Sequence, residues 1–363
     1  MRVLVVSSMG LGHLFPMVPT LWALRAAGHE VLLLSTAAGA AAGARAGLPV
    51  VEAAPGVDWD AELTPPPGEV DLLTRIARRF ARMADLMSDG AVRQAEHWRP
   101  DLIIYELIDA TGPLLAAKFG IPCVHHGFGI TSVGPLFDRI RDFLGDALDR
   151  HGVADLAGPA TTIDISPPSL GGDFGGLRAR YVPYNGGAVL PDWLAQPRER
   201  PRIVVTMGTV LTHLDDEPWR SILTAAKDSG AELLLAAGSI DLSGLGELPP
   251  HTRVIEYLPL SALLPVSDAL VHHGGSGSTL TALACGVPQL VLPQGADQFY
   301  NGQRIAARGA GLTAEHEGVS AGQIHRLLHD ADIRTAVTEV LAELAAMPSP
   351  AELVPALAAI AQT

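Results

Sequence analysis

Charge is scarce in this sequence. Asp, Glu, Lys and Arg make up 18% of its 363 residues, against 48% apolar types. That balance excludes a disordered chain, because there is enough apolar surface to fill cores, and the length suggests two of them. Basic charge is the scarcest. With 25 Lys and Arg against 39 Asp and Glu, the formal net charge is -14. A nucleic-acid partner is therefore disfavoured, since neutralising a phosphate backbone needs a basic face. One bound nucleotide remains allowed, because helix ends and histidine can hold it. The two cysteines, Cys123 and Cys285, lie far apart in apolar surroundings and read as small buried hydrophobes. They support neither a disulfide framework nor a thiolate metal site. No apolar run approaches the length of a membrane span. The chain starts directly on a strand-like run, Arg2 to Val6, followed by glycine and not by a cleavage region. Residence in the cytoplasm, away from membranes, is the expectation by elimination. Low-complexity tracts and short-period repeats are absent.

What is present is an alternation of apolar runs, glycine-bearing turns and helix-length segments. Val3 to Ser7 reads as a strand, Gly10-Leu11-Gly12-His13 as a turn, and Phe15 to Ala27 as a helix stopped by Gly28 before the strand Val31 to Leu34. Leu102 to Tyr105 and Pro122 to Val124 read as strands with the helix Ala110 to Phe119 between them. Ala53 to Gly68 reads as a loop, and Val70 to Trp98 as a long helix with exposed arginines. Prolines and glycines cluster from Tyr184 to Arg200, which reads as an interdomain linker. The alternation then resumes, with strands at Ile203 to Met207, Leu233 to Ala236, Arg253 to Ile255, Ala269 to Val271 and Gln289 to Leu292, and a helix at Glu217 to Asp228. Short apolar strands separated by helices imply parallel sheets covered on both faces. The expected fold class is α/β. Two doubly wound domains, residues 1–190 and 200–345, would face each other with ligands at the carboxyl ends of their strands. A final helical segment, residues 349–363, would cross back to the first domain.

The most informative stretch is His272-His273-Gly274-Gly275-Ser276-Gly277-Ser278-Thr279, between an apolar strand and a helix. Free N–H groups and the positive end of a helix dipole suit phosphate there. Glycine allows close approach, and Ser276, Ser278 and Thr279 add hydroxyl donors. A nucleotide or sugar diphosphate is the ligand this implies.

Tyr257-Leu258-Pro259, the histidine-glycine stretch, Gly286-Val287-Pro288 and Pro293-Gln294-Gly295-Ala296-Asp297-Gln298 together resemble the donor-binding signature of family 1 glycosyltransferases. Gly10-Leu11-Gly12-His13-Leu14-Phe15-Pro16 and Gly28-His29-Glu30-Val31 are similar to the start of that family. The linker run Tyr181-Val182-Pro183-Tyr184-Asn185-Gly186 resembles its bacterial branch, which attaches deoxysugars to antibiotics and other secondary metabolites. The resemblance covers nearly the whole chain and is weakest from Ala53 to Arg99 and from Gly127 to Arg180. It implies the GT-B fold, two Rossmann-like domains with the active site in the cleft. The acceptor would sit on the first domain and the nucleotide sugar on the second. Direct displacement with inversion would need no metal ion and no other cofactor.

On this resemblance His13 holds the position of the catalytic base, a role its near-neutral pKa suits. The alternative is a histidine that caps the next helix. The acid that orients it would be Glu106, where aspartate is usual, with Asp109 in reserve. His273 matches the histidine that touches the diphosphate, while His272 belongs to the strand end. Gly274, Gly275, Ser276, Gly277, Ser278 and Thr279 would form the phosphate cradle, and Thr209 another phosphate or sugar contact. Asp297 and Gln298 would hold sugar hydroxyls, unless Asp297 is only the N-cap of a helix from Gln298 to Arg308. Tyr257 and Leu258 stand where the base is read, though Tyr257 suits a core equally. Plant members carry a glutamate on the ribose hydroxyls where Thr281 stands here. A missing carboxylate favours thymidine diphosphate over uridine diphosphate, unless Thr281 is mere helix packing.

Phe15, Leu63, Phe80, Met83, Met87, Phe128, Leu136 and Phe143 either line an apolar acceptor pocket or fill helix cores. The partners expected are a small donor and an apolar aglycone. The oligomeric state, a homodimer included, stays open. The leading reading is an inverting deoxyhexose transferase acting on a natural-product aglycone. The alternatives are a nucleotide-sugar epimerase on the same scaffold and a catalytically silent nucleotide-sugar-binding partner of another transferase.

Overall fold

Among the described residues, thirteen short strands form two separate parallel sheets. The computed structural model describes residues 1–64, 71–131, 134–171, 175–208, 217–238, 242–315 and 318–363. In the first lobe the strands are β1 (Arg2–Val6), β2 (Glu30–Ser35), β3 (Val50–Glu52), β4 (Leu102–Glu106), β5 (Cys123–His126), β6 (Thr161–Asp164) and β7 (Leu177–Arg178). Their spatial order is 3-2-1-4-5-6-7. In the second lobe they are β8 (Arg202–Thr206), β9 (Glu232–Ala236), β10 (Thr252–Ile255), β11 (Ala269–His272), β12 (Gln289–Val291) and β13 (Gly311–Thr313), in the order 10-9-8-11-12-13. Each lobe thus has a Rossmann-like winding that reverses direction at one point, between β1 and β4 in the first and between β8 and β11 in the second. A crevice opens at the carboxyl end of the strands at such a reversal.

Alternation along each strand serves both faces. Val3 and Val5 pack with Leu14, Leu21 and Leu24 on one side of the first sheet. Leu4 and Val6 pack with Ala84, Met87 and Ala91 of the long helix Leu72–Trp98 on the other. The first of these clusters also takes in Leu280, Leu283 and Ile305 of the second lobe and Val340, Leu344 and Leu357 of the chain's end. The segment Ala331–Ile360 is apolar enough by composition to cross a membrane, which qualifies the expectation that no stretch is. It is broken between the helices Ala331–Ala346 and Val354–Ile360 by a 3-10 turn at Pro350–Leu353. Its apolar side chains are buried against both lobes: Leu341 and Ala336 lie beside Gly286 and Gly309 of the second, while Leu353 and Leu357 join the cluster of Leu21 and Leu24 of the first, and the Arg180 N–H donates to Pro348 O at 2.7 Å.

The sequence pattern locates the central strands of both sheets and misses β3, β6, β7 and β13. The expected turn at residues 10–13 is a single helical turn, Leu11–Leu14, and the following helix begins only at Val18. The expected loop after Ala53 holds a short helix, Trp59–Glu62.

Gly90 shows how closely the long helix sits on the first lobe. A Cβ there would lie 1.9 Å from the backbone oxygen of Ala53. Alanine normally gains about 1 kcal/mol over glycine inside a helix, but forcing a backbone carbonyl aside costs roughly 1–3 kcal/mol. Gly90→Ala is expected to melt several degrees below the parent in a thermal scan. A higher melting temperature would show that the helix is not seated on Ala53.

Candidate active site

His13 lies on the helical turn that follows β1, and Glu106 is the last residue of β4, so the two meet at the first lobe's reversal point. His13 Nδ1 is 3.0 Å from Glu106 Oε2, an ion-pair contact not aligned as a strong hydrogen bond. The carboxylate has no exposed surface, while the imidazole side chain is one-fifth exposed. Burial alone would raise the Glu106 pKa. His13 beside it and the Ile108 N–H, which donates to Oε2 at 2.9 Å, outweigh burial and hold the carboxyl below its ordinary value. Burial would likewise lower His13, but the charge of Glu106, with a smaller part from Asp297, raises it. Phe128 stacks on the imidazole at 4.6 Å between ring centroids and Phe80 at 5.9 Å. With Nδ1 turned to Glu106, Nε2 is the nitrogen left to accept a proton.

Asp109 is not placed against His13. Its carboxylate accepts from Gly112 N–H at 2.9 Å and Thr111 N–H at 3.3 Å, which caps the helix Thr111–Phe119. Burial, then the nearby charge of Glu106, pushes its pKa up to about 7.

In the second lobe the turn after β11 leads into the helix Ser276–Ala284, whose start carries no capping side chain. The first helical N–H that finds a partner there belongs to Thr279, which donates to Gly275 O. The donors before it face outward, as an anion site requires. Gly274 has φ +93°, and a Cβ there would lie 2.6 Å from Val291, so no other residue fits the turn. His272 shapes the turn from beneath: Gly274 N–H donates to its Nδ1 at 3.1 Å, and its Nε2 meets Gln289 Oε1 at 2.9 Å. His273 lies over the turn, beside Gly208 and Gly275. Burial lowers its pKa to about 4, outweighing the Asp297 charge and a hydrogen bond with the Thr206 backbone, which raise it. A neutral imidazole of this kind is a donor for a phosphoryl oxygen.

Asp297 precedes the helix Gln298–Arg308 without capping it. Its Oδ2 instead accepts from Ser276 Oγ at 2.7 Å and from Asn301 Nδ2 at 2.9 Å. Gln298 turns its Oε1 back to Gln294 N–H at 2.8 Å and Gly295 N–H at 3.2 Å, which leaves its Nε2 for a ligand. Tyr257 is 55% exposed, so it is no core residue, and its hydroxyl donates to Asn185 O in the linker. Leu258 packs partly buried in the smaller cluster of the second lobe. The lobes touch at the site itself, where a Cβ on Gly129 would lie 2.1 Å from Ser276 Oγ. Next to this contact the first lobe encloses a cavity of about 350 Å³, lined among others by Tyr105, His125, Thr131, Phe137, Arg141 and Thr162.

Two family models match the chain. The N-terminal domain of erythromycin biosynthesis protein CIII-like proteins covers residues 22–208, and the C-terminal domain covers 220–360. The chain belongs to this antibiotic glycosyltransferase family. Among its relatives, the elloramycin glycosyltransferase of Streptomyces olivaceus is 42% identical over 97% of this chain and 96% of that protein. The crystal structure of the glycosyltransferase SnogD from Streptomyces nogalater superposes with a TM-score of 0.92 at 41% identity, covering 99% of both chains. That of Streptomyces sp. SF2575 glycosyltransferase SsfS6, complexed with thymidine diphosphate, superposes with a TM-score of 0.85 at 33% identity over 99% of both. The enzyme therefore has the GT-B fold.

Of the apolar residues weighed between an acceptor pocket and helix cores, most take the core reading. Phe15 packs edge-on against Tyr184 of the linker at 5.1 Å. Leu63, Met83 and Met87 are core residues on the long-helix side of the first sheet. Phe143 packs on that same core under the Arg78 guanidinium, at 4.7 Å, and Leu136 packs there too. Phe80 and Phe128 alone of that group meet His13. Thr279 adds no donor to the cradle, since its hydroxyl donates inward to Gly274 O at 3.4 Å and its N–H is used in the helix. The Ser276 hydroxyl is engaged by Asp297, which leaves Ser278 as the cradle's hydroxyl. Thr281 is fully buried, donates to Gly277 O and accepts from Tyr181 and Asn185. The packing reading holds for it. Thr209 lies outside the described residues. Asn301 was not foreseen, although its place one turn after Asp297 puts both on one helix face.

Glu106→Gln removes the charge that sets His13 while keeping its shape. The His13 pKa, followed by its imidazole resonances in an NMR titration, is expected to fall below that of the parent, because burial is then opposed only by Asp297. An unchanged value would mean that Glu106 does not tune the imidazole.

Proposed function

We propose that this glycosyltransferase moves a deoxyhexose from a thymidine diphosphate sugar to a small natural-product aglycone, by one inverting displacement that needs no metal ion. The observation that carries the reading is the facing of two unlike halves. A histidine held by a buried carboxylate stands in one crevice, and an uncapped helix start with a neutral histidine stands in the other, with Gly129 and Ser276 in contact between them.

The chemistry follows from these groups. A nucleophilic acceptor atom attacks the anomeric carbon as the bond from that carbon to the β-phosphate oxygen breaks. The electron pair leaves on thymidine diphosphate. The acceptor's proton passes to His13 Nε2, and Glu106 stabilises the imidazolium that forms. Charge on the departing phosphate is met by the N–H groups at Ser276, Gly277 and Ser278, by the Ser278 hydroxyl and by His273. Asp297 and Gln298 Nε2 hold sugar hydroxyls. Tyr257 offers its exposed ring to the base, with Leu258 behind it. Phe80 and Phe128 form the apolar wall beside the base, and the neighbouring cavity takes the body of the acceptor.

Two related structures support thymidine over uridine: that of SsfS6 is complexed with thymidine diphosphate, and that of VinC is in complex with DTDP.

His13→Ala is expected to lower turnover by about 100- to 10,000-fold, the usual worth of a general base, with thymidine diphosphate binding retained in calorimetry. The anomeric proton coupling of the product should show inversion, and a chelator should leave the rate unchanged. Retained configuration, or donor sugar isomerised without acceptor, would overturn the reading.

A further inference from the structure

One buried side chain at the site is unaccounted for by the chemistry above. Asn301 has no exposed surface. Its Nδ2 donates to Gly274 O at 2.8 Å, to Asp297 Oδ2 at 2.9 Å and to Ser276 Oγ at 3.3 Å. Its Oδ1 accepts from the Thr131 hydroxyl of the first lobe at 3.3 Å. We propose that Asn301 is a positioning residue for the donor sugar, fixing the Asp297 carboxylate, and that Thr131 of the acceptor lobe fixes Asn301.

The amide can face only one way. With its carbonyl oxygen turned toward Asp297 and Gly274, it would set three acceptors against each other in a buried place, a costly arrangement. In the observed orientation both amide hydrogens go to the donor-side acceptors, and the oxygen is left for the one hydroxyl that reaches it from across the cleft. Asp297 is then held by two donors on Oδ2, and Oδ1 carries neither of these contacts. That oxygen is free for a sugar hydroxyl. Thr131 adds a contact from the first lobe to this amide, so the grip on the sugar is firmest when the lobes are close enough for Thr131 to reach. Thr131 also lines the first-lobe cavity, so the same residue reports on both substrates. By linkage, acceptor in that cavity and sugar on Asp297 strengthen each other's binding.

The inference rests on the reading of Asp297 as a sugar ligand, and the test separates the two. Calorimetry compares thymidine diphosphate, which has no sugar to grip, with thymidine diphosphate glucose. Thr131→Val keeps the shape and removes the hydroxyl. Its affinity for thymidine diphosphate should stay within about two-fold of the parent, and its affinity for the glucose donor should fall about five-fold, the scale of one hydrogen bond. Thr131→Ser should restore most of the loss. A general structural defect would weaken both ligands alike, and that result overturns the proposal. So does an unchanged glucose donor affinity in Thr131→Val when Asp297→Asn weakens it. If Asp297→Asn binds both ligands as the parent does, the sugar-ligand reading fails and takes the proposal with it.

Discussion

A carboxylate without exposed surface stays ionised only where neighbours offer positive charge or donors, and Glu106 has both. The Ile108 N–H and the His13 imidazole hold it charged, and that charge in turn makes His13 a better base than burial alone would allow. The pKa of the neighbouring Asp109 is raised first by its own burial and then by this anion, since two carboxylates so placed do not both ionise readily. Asp109 is therefore pushed toward its neutral form and used to start a helix. The glutamate side chain reaches the imidazole from the end of β4 at 3.0 Å.

The two lobes repeat one winding but are tuned oppositely. At the first reversal point the buried group is an anion, and the histidine beside it is drawn toward the charged form. At the second, His272 and His273 have pKa values lowered by burial to about 3 and about 4. His272 spends its nitrogens on Gln289 and Gly274 and keeps the turn rigid. His273 is kept neutral by burial, which outweighs the Asp297 charge and the Thr206 backbone contact. A leaving diphosphate brings its own negative charge and needs donors already in place, so a neutral histidine over a helix start suits it. A base needs the reverse, an anion behind it.

The sequence is legible where pattern and chemistry coincide. β1, β4 and β11 are apolar runs ending in turns, and the helix Gln298–Arg308 was read to the residue. β6 and β7 carry no strand pattern, because three of the four residues Thr161–Asp164 are polar and Leu177–Arg178 is two residues long. Such short strands toward one side of a sheet exist through their neighbours and carry little signal of their own. Residue type also cannot say which face of a helix looks into a cleft. Phe80 and Met83 lie on the same helix three residues apart, yet Phe80 reaches the His13 ring and Met83 fills the core. For the hydroxyls the helix register decided. Ser278 is in the first turn with a free outer face, whereas Thr279 and Thr281 turn back on Gly274 and Gly277. Asn301 carries no motif signal at all, and its importance appears only once four partners from two lobes converge on it.

The helix Ser276–Ala284 joins these threads. Its first turn is the anion site, while its body is buried against the rest of the molecule. Leu280 and Leu283 lie in the core that spans both lobes, and Thr281 is bonded to Tyr181 and Asn185 of the linker. Asn185 in turn accepts from Ser261 N–H at 3.0 Å through its side chain and from the Tyr257 hydroxyl through its backbone. The linker is thus tied to the two places where a nucleotide would press, the base platform and the phosphate helix. Close-packed interiors do not deform continuously. A force applied at the start of this helix by a bound diphosphate must therefore move its packed body as a unit, and the elements gripping that body are the linker and the first-lobe core. The candidate donor site is in this sense packed into the joint between the lobes.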